Sequence, residues 1–463
     1  MSANNAAIRM TAASTAGLLM ASAQAPLGST LIAVALPSIS LGISADLVLI
    51  TGLLVTGYLV VNVVCLGPAG KISDVVGHSR ILWTGIGLYL IGAAFGVLAQ
   101  DLSFLFLSRC LMAVAGALVV PATLALLRLH VPPERRGRIF GLFGATMAIA
   151  AACGPVLGGE IVSLFGWRAV FVANVPFLAV SALLLHRYPL PAENTAAQRP
   201  LRKLTRSLDF MGIGLLALSL ALLIVASKVE GTVFMAVVLA AAVAGAAFVK
   251  WESKTSAPVF DPHLFSLSPF AAGTLIIALQ NFAMYGLLFQ LPQFFSVFRV
   301  TEPRDIGYML FVMMIGMVVA APLGGQLTDR IGARSAALLG SVLLLSGVGQ
   351  LWGLGSFESP QGAMPALLVS GLGLGLCNAP AQSASMSAVE PGQVGMAAGV
   401  SSTMRYLGGI LSILVLGAVL GHDQIVSVAR HDVMIRLFTV AIALSALMSL
   451  WLPGAPVAAA KSP

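Results

Sequence analysis

The chain has 463 residues, of which 58% are hydrophobic and 9% charged, with 25 Lys and Arg against 17 Asp and Glu. Soluble domains carry about a quarter charged residues, and a chain so poor in polar surface cannot cover a water-facing exterior. This excludes a soluble enzyme, a nucleic-acid-binding domain and a disordered chain, and it assigns the net charge of +8 to the loops of an integral membrane protein.

A helix that crosses the hydrocarbon core needs about 20 apolar residues, and the sequence offers fourteen such runs. Six lie at 11–36, 47–69, 81–99, 102–128, 139–165 and 168–187, followed by a basic, Pro-containing segment at 188–207. A pair follows at 208–227 and 231–250, then six more at 269–291, 306–327, 335–354, 363–388, 394–420 and 433–452. The runs are apolar all round, as helices buried in lipid and among neighbours are. The alternation of a spanning β-barrel is missing. Ala21-Ser22-Ala23-Gln24-Ala25 resembles a signal-peptide cleavage site, but the apolar run continues, so it is read as an uncleaved first span ending at Leu36-Pro37. The expected division is an N-terminal six-helix bundle (1–187), a cytoplasmic linker (188–207), an inserted helix pair (208–250) and a C-terminal six-helix bundle (251–463).

Lys and Arg set orientation, because cytoplasmic loops collect them. With the N-terminus inside, the inner loops hold Lys71, Arg80, Arg128, Arg135, Arg136 and Arg138, the linker arginines, Lys250, Lys254, Arg330 and Arg334. The outer loops hold only Arg168, Lys228, Arg299, Arg304 and Arg430. Both termini are therefore expected in the cytoplasm of a multi-pass protein of the cell's cytoplasmic (inner) membrane. Cys65, Cys110, Cys153 and Cys377 sit inside apolar runs and read as reduced packing residues, with no metal-ligand spacing. His263, His422 and His431 fall in expected loops and carry no assignment.

An internal repeat gives the layout. Gly70-Lys-Ile-Ser-Asp74-Val-Val-Gly77-His-Ser-Arg80 follows the second run, and Gly325-Gln-Leu-Thr-Asp329-Arg-Ile-Gly332 follows the tenth. Two parallel halves with a site between them is a transporter arrangement. Gly154-Pro155-Val156-Leu157-Gly158-Gly159 in the fifth run puts small residues where helices can meet at backbone distance. Arg109 in the fourth run is costly in lipid, so it must face the interior and have a partner.

On these residues the sequence resembles the major facilitator superfamily, and within it the fourteen-spanner drug:proton antiporter branch. The resemblance implies an all-α membrane fold of two pseudo-symmetric six-helix bundles plus two inserted helices. It implies a cytoplasmic gate motif at Gly70, Asp74, Gly77 and Arg80, with its repeat at Gly325, Asp329 and Gly332. In that gate Asp74 would pair with Arg80 or a basic residue in 128–138. It implies an antiporter motif at Gly154, Pro155, Gly158 and Gly159, and a proton-transfer role for Arg109. One position departs: Gly28 stands where the branch carries an Asp. Glu160 and Arg109 reckon to similar depth on successive helices, so Glu160 is expected to pair with Arg109 and to replace the missing acid in proton coupling.

In the superfamily's layout, spans 1, 4, 9 and 12 of this chain would line the pathway. These offer Gln24 and Ser29, then Asn281 and Tyr285, and Asn378 and Gln382, with Tyr58 and Asn62 added from span 2. Arg405 reads as a structural or snorkelling residue. The expected protein is a secondary active exporter of amphipathic small molecules, coupled to protons and embedded as a monomer in the bilayer. No cofactor, metal, nucleic acid or enzymatic activity is expected. A dedicated exporter of one metabolite or antibiotic, uncoupled from span-1 protonation, and a non-transporting membrane sensor are the competing expectations.

Overall fold

A computed structural model describes residues 10–454 apart from 132, 191–208, 227, 228, 230, 256, 257, 259, 300, 391–393 and 421–427. In chain order come α1 (Ala12–Ile43), α2 (Leu47–Thr51), a π turn (Gly52–Thr56), α3 (Gly57–Val76), α4 (His78–Leu98), α5 (Leu102–His130) and α6 (Pro133–Phe165). A short 3-10 turn (Trp167–Val172) leads into α7 (Val175–Arg187). Then follow α8 (Phe210–Ala226), α9 (Gly231–Glu252), α10 (Ser268–Phe298), α11 (Pro303–Ile331), α12 (Ala333–Gly349), α13 (Pro360–Ser387), α14 (Val394–Leu420) and α15 (Val428–Met448). From residue 191 on, the expected linker lies outside the described residues, as does His422.

Two expectations change at helix ends. Pro37 does not terminate the first span: α1 runs through both Pro26 and Pro37 to Ile43, since neighbouring helices can satisfy the backbone groups a proline frees. His431 is not a loop residue; it lies within α15 and is 1% exposed, with its carbonyl accepting from Gln290 Nε2 at 2.8 Å.

Among the described residues, twelve helical segments are long and apolar enough to cross a membrane. The fourteen full-length spans expected from the sequence are thus twelve by length. The other two expected spans are α8 and α12, each of 17 residues. At 1.5 Å per residue each reaches about 25 Å, short of the roughly 30 Å hydrocarbon core. Both run alongside full-length neighbours. Gly340 meets Cys377 and Gly347 meets Ser370, so α12 is antiparallel to α13, whereas Gly316 against Leu368 and Gly324 against Leu376 make α11 and α13 parallel. Asp209, just before α8, accepts from the indole of Trp251 near the end of α9 at 2.8 Å, so these two helices form an antiparallel hairpin.

The helices pack as two groups. In one, α1 lies against α6 and α7, and α5 against α3 and α4; in the other, α10 packs on α13, α14 and α15, and α13 on α11 and α12. The hairpin α8–α9 touches the first group through α3. The groups join chiefly through α6 on α11, with smaller contacts of α1 on α10 and of α2, the π turn and α3 on α14.

The repeat seen in the sequence is a repeat of backbone geometry. Gly77 ends α3 and opens α4 at φ 105°, ψ 132°. Gly332 ends α11 and opens α12 at φ 84°, ψ 159°. Both conformations are nearly closed to residues with a Cβ, which is why glycine stands at both copies.

Candidate functional site between the two helix groups

The seam joining the groups is built from the Gly-Pro run of α6. Gly154 and Gly158 share the face that meets α1: a Cβ at Gly158 would lie 2.7 Å from the Leu31 carbonyl oxygen. Thr30 of α1 donates to the Ala151 carbonyl at 3.0 Å. Gly159, one residue round, meets α11, where its Cβ would lie 2.6 Å from the Pro303 carbonyl oxygen. From the other side, Gly307 fits against the Pro155 carbonyl. Small residues here let the two backbones touch, which is how helices associate without a hydrophobic drive.

Glu160 completes this seam, and its partner differs from the expected one. Its carboxylate accepts from Arg304 Nη2 at 2.7 Å and Nε at 3.0 Å, and from the Tyr308 hydroxyl at 2.8 Å. The pairing with Arg109 is not formed. The reason is direction rather than depth: each residue turns a helix by about 100°, so Glu160, two positions after Gly158, points away from α1 and toward α11. Arg109 is instead walled in by α1 and α3.

Arg109 is 2% exposed. Its Nε donates to the Leu54 carbonyl in the π turn at 3.0 Å and its Nη1 to the Gly28 carbonyl at 3.4 Å, while Cζ stands 4.2 Å from the centroid of the Tyr58 ring. Its Nη2 is buried without a hydrogen-bond partner. The expected partner exists, but it is backbone and an aromatic face, not a carboxylate. A Cβ at Gly28 would lie 3.1 Å from Asn174 Nδ2 and 3.5 Å from the Tyr89 hydroxyl.

From Tyr58 a row of polar aromatics crosses between the groups. Tyr58 lies within electrostatic range of Arg109 and Tyr406. Tyr285 is in range of Tyr58, Tyr406 and Arg405, faces Ser29, and stacks on Phe289 at 6.2 Å between centroids. Arg405, half-buried, donates through Nη2 to Gln382 Oε1 at 3.1 Å. The structure therefore brings Ser29, Tyr58, Tyr285 and Gln382 toward one locus, with Arg405 added by the fold. Of the two roles expected for Arg405, structural or snorkelling, its bond to Gln382 is of the structural kind.

The remaining amides are more scattered. Asn62 donates to the Ala113 carbonyl at 3.2 Å and Asn281 to the Ile277 carbonyl at 2.8 Å. Asn62 thereby ties α3 to α5, while Asn281 bonds back within its own helix α10. Gln24 is 1% exposed and neither end of its amide is hydrogen-bonded; it flanks Gly116 together with Asn62. Asn378 is half-buried on α13. Asn174, with no site role assigned from the sequence, donates to the Tyr89 hydroxyl at 2.5 Å and the Gln24 carbonyl at 3.3 Å. Sequence reasoning missed Arg304 and Tyr308 as partners of Glu160, since nothing in their local sequence marks a contact 144 and 148 residues away.

Side-chain bonds tie the two groups together at one end. Hydrogen bonds join the groups at the end that carries Phe165 and Pro303: those of Glu160, and Gln293 Nε2 to Thr51 Oγ1 at 3.3 Å. The Cβ positions of Gly70, Gly144, Gly325 and Gly399, toward the end carrying Gly77 and Gly332, have nothing within 4 Å, as do those of Gly52 and Gly166 at the opposite end. Gly70 and Gly325, expected to allow close helix approach, face open space. The side chain of Asp74 lies outside the described residues, so its expected pairing is not addressed; Asp329 and Arg80 are exposed. No group of His, Cys, Asp and Glu that could hold a metal occurs among the described residues.

The sequence profile of the Major Facilitator Superfamily matches residues 18–413, and the chain belongs to that family. A Bacillus subtilis protein described as an uncharacterized MFS-type transporter, YvkA, is 33% identical over 431 residues, 92% of each chain. Multidrug resistance protein Stp of Mycobacterium tuberculosis is 30% identical over 360 residues, covering 76% of this chain and 65% of its own. The fold matches the crystal structure of a D-xylose–proton symporter at TM-score 0.66, 14% identity, over 96% of this chain and 97% of that one. The chain is thus a multi-pass membrane transporter and not an enzyme, and it carries small molecules across the membrane.

Proposed function

We propose that the protein is a secondary active efflux transporter that exchanges amphipathic small molecules for protons by alternating access. The observation that carries this reading is the glycine seam of α6 and α11, which joins the two groups at one end and holds Glu160 on Arg304 and Tyr308. The positive-inside rule puts this seam at the outer face and both termini in the cytoplasm, so parting of α6 and α11 is the step that releases substrate outside.

The same reading assigns the chain to the fourteen-spanner branch. In its support, α12 returns between two parallel spans, α11 and α13, and α8 is the antiparallel arm of the hairpin with α9. A chain with these directions needs α8 and α12 to cross, short as they are. The division at 187, 207 and 250 follows, with the hairpin outside the two bundles. Gly70, Asp74, Gly77, Arg80, Gly325, Asp329 and Gly332 would form the cytoplasmic gate, and Gly154, Pro155, Gly158 and Gly159 the outer seam. Glu160 would be the protonation site, acting through Arg304 and Tyr308 rather than directly on Arg109, and the transporter would work as a monomer in the cytoplasmic membrane.

A second reading, a dedicated exporter of one compound without proton coupling in the first span, is favoured by one residue, Gly28. Energised efflux from inverted vesicles over a panel of unrelated dyes, with and without a protonophore, separates the readings. Efflux of several dyes that stops with the protonophore supports proton antiport. Efflux of one compound only supports the second reading, and no flux of any compound overturns both in favour of a sensor. Retention of proton-driven transport by Glu160→Gln in proteoliposomes removes the role given to that residue.

A further inference from the structure

The polar centre between the helix groups is built from arginines without carboxylates. Arg109 lies seven residues into α5 and Arg405 eleven into α14. All 17 Asp and Glu of the chain can be located in the sequence. Those on described helices stay within five residues of a helix end, Glu160 and Asp432 reaching deepest. Glu160 is committed to Arg304, and Asp432 accepts the Leu354 N–H at 2.9 Å. Neither Arg109 nor Arg405 forms an ion pair among the described residues.

Buried charge is normally paired, so two cations linked by the row of tyrosines leave a positive field that a ligand can answer. Their donors are also unspent. Arg109 Nη2 is buried and unpartnered. Arg405 offers five N–H donors in a planar fork, of which the bond to Gln382 uses one. Arg405 is half-buried and stands beside Tyr285, Tyr406 and, through Tyr285, Phe289. That is an acid-binding fork at the edge of an aromatic platform.

Building on the export reading above, we infer that the substrate is an amphipathic organic anion, its acid group held by the Arg405 fork and its apolar body lying on Tyr285 and Tyr406. Arg109, behind Tyr58, adds to the positive field without needing to touch the ligand. Gly28 belongs to the same design. An Asp there would stand beside Asn174, Tyr89 and the Arg109 contact at the Gly28 carbonyl, and would cancel the charge the site uses.

The test uses the full chain in nanodiscs and three probes sharing one fluorophore: dansylglycine (anionic), dansylamide (neutral) and dansylcadaverine (cationic). Wild type should bind dansylglycine about ten-fold or more tightly than dansylamide, with dansylcadaverine weakest. Arg405→Gln should cut that preference to about three-fold or less, and Arg405→Lys should keep part of it. Gly28→Asp, which leaves Arg405 in place, should lower the preference as well and guards against misfolding of the arginine variant. Equal affinities, or preference for dansylcadaverine, overturn the inference. So does an unchanged preference in both Arg405→Gln and Gly28→Asp. If none of the three binds while other dyes are still exported, the anion inference fails and the export reading stands; if nothing binds and nothing is exported, both fail.

Discussion

Replacing Gly159 with Ala drives a methyl group into the seam between α6 and α11. The new Cβ would lie 2.6 Å from the Pro303 carbonyl oxygen and 3.0 Å from Arg304 Cα, where comfortable contact is about 3.5–4.0 Å. Both neighbours are backbone, so neither can rotate aside, and the helices must part by about 0.5–1 Å. Overpacking of this kind costs about 1–3 kcal/mol. The penalty falls only on the conformation in which α6 and α11 touch, so the equilibrium should move toward the state open at that end by about 5- to 150-fold. Spin labels at Ser163 and Glu302, both exposed beside the seam, report the change in a background with the four native cysteines replaced. Wild type should give a short-distance population, and Gly159→Ala a dominant longer one. Unchanged distances in both Gly159→Ala and Gly307→Ala would refute the idea that this seam is a gate.

Further outcomes follow from the same geometry. Gly77→Ala and Gly332→Ala each force a Cβ into a glycine-only backbone region, and each should lower stability by about 1–3 kcal/mol; equal thermal unfolding midpoints for variant and wild type in detergent would contradict this. Glu160→Gln and Arg304→Gln should each raise the long-distance population in the spin-label measurement, by less than Gly159→Ala, because the pair is partly exposed and screened. The double variant should do little more than either single one, since both remove one shared contact. Additive shifts would mean that the two side chains act separately.

Much of this was legible in the sequence because it rested on small residues at fixed spacing. Gly77 and Gly332 announce their turns, and Gly154, Pro155, Gly158 and Gly159 announce a backbone contact, since few other roles demand glycines there. Arg109 was bound to be interior, because charge in lipid leaves no alternative. Helix rise gave Glu160 a depth, but rise says nothing of direction. The missing information was which face of α6 meets α1, and Gly154 with Gly158 held it in their four-residue spacing. Arg304 and Tyr308 could not be found from local pattern, because α11 approaches α6 only through the packing of the two groups. The pairing of Arg405 with Gln382 fits the structural role expected of it, but its company of Tyr285 on α10 could not be found from local pattern, for the same reason. The shortness of α12 was hidden because the apolar residues Leu351, Trp352 and Leu354, beyond its end at Gly349, extend its run.

The claim that substrate passes between the two helix groups by alternate opening of their ends is tested most directly by locking the closed end. Cysteines in place of Ser163 and Glu302, beside the seam, in a background without the four native cysteines, can be joined by a short, reducible bifunctional thiosulfonate, and protein-dependent dye flux followed in proteoliposomes. Flux should stop on cross-linking and return on reduction, with uncross-linked protein active throughout. Flux that continues undiminished across the locked seam would contradict the account.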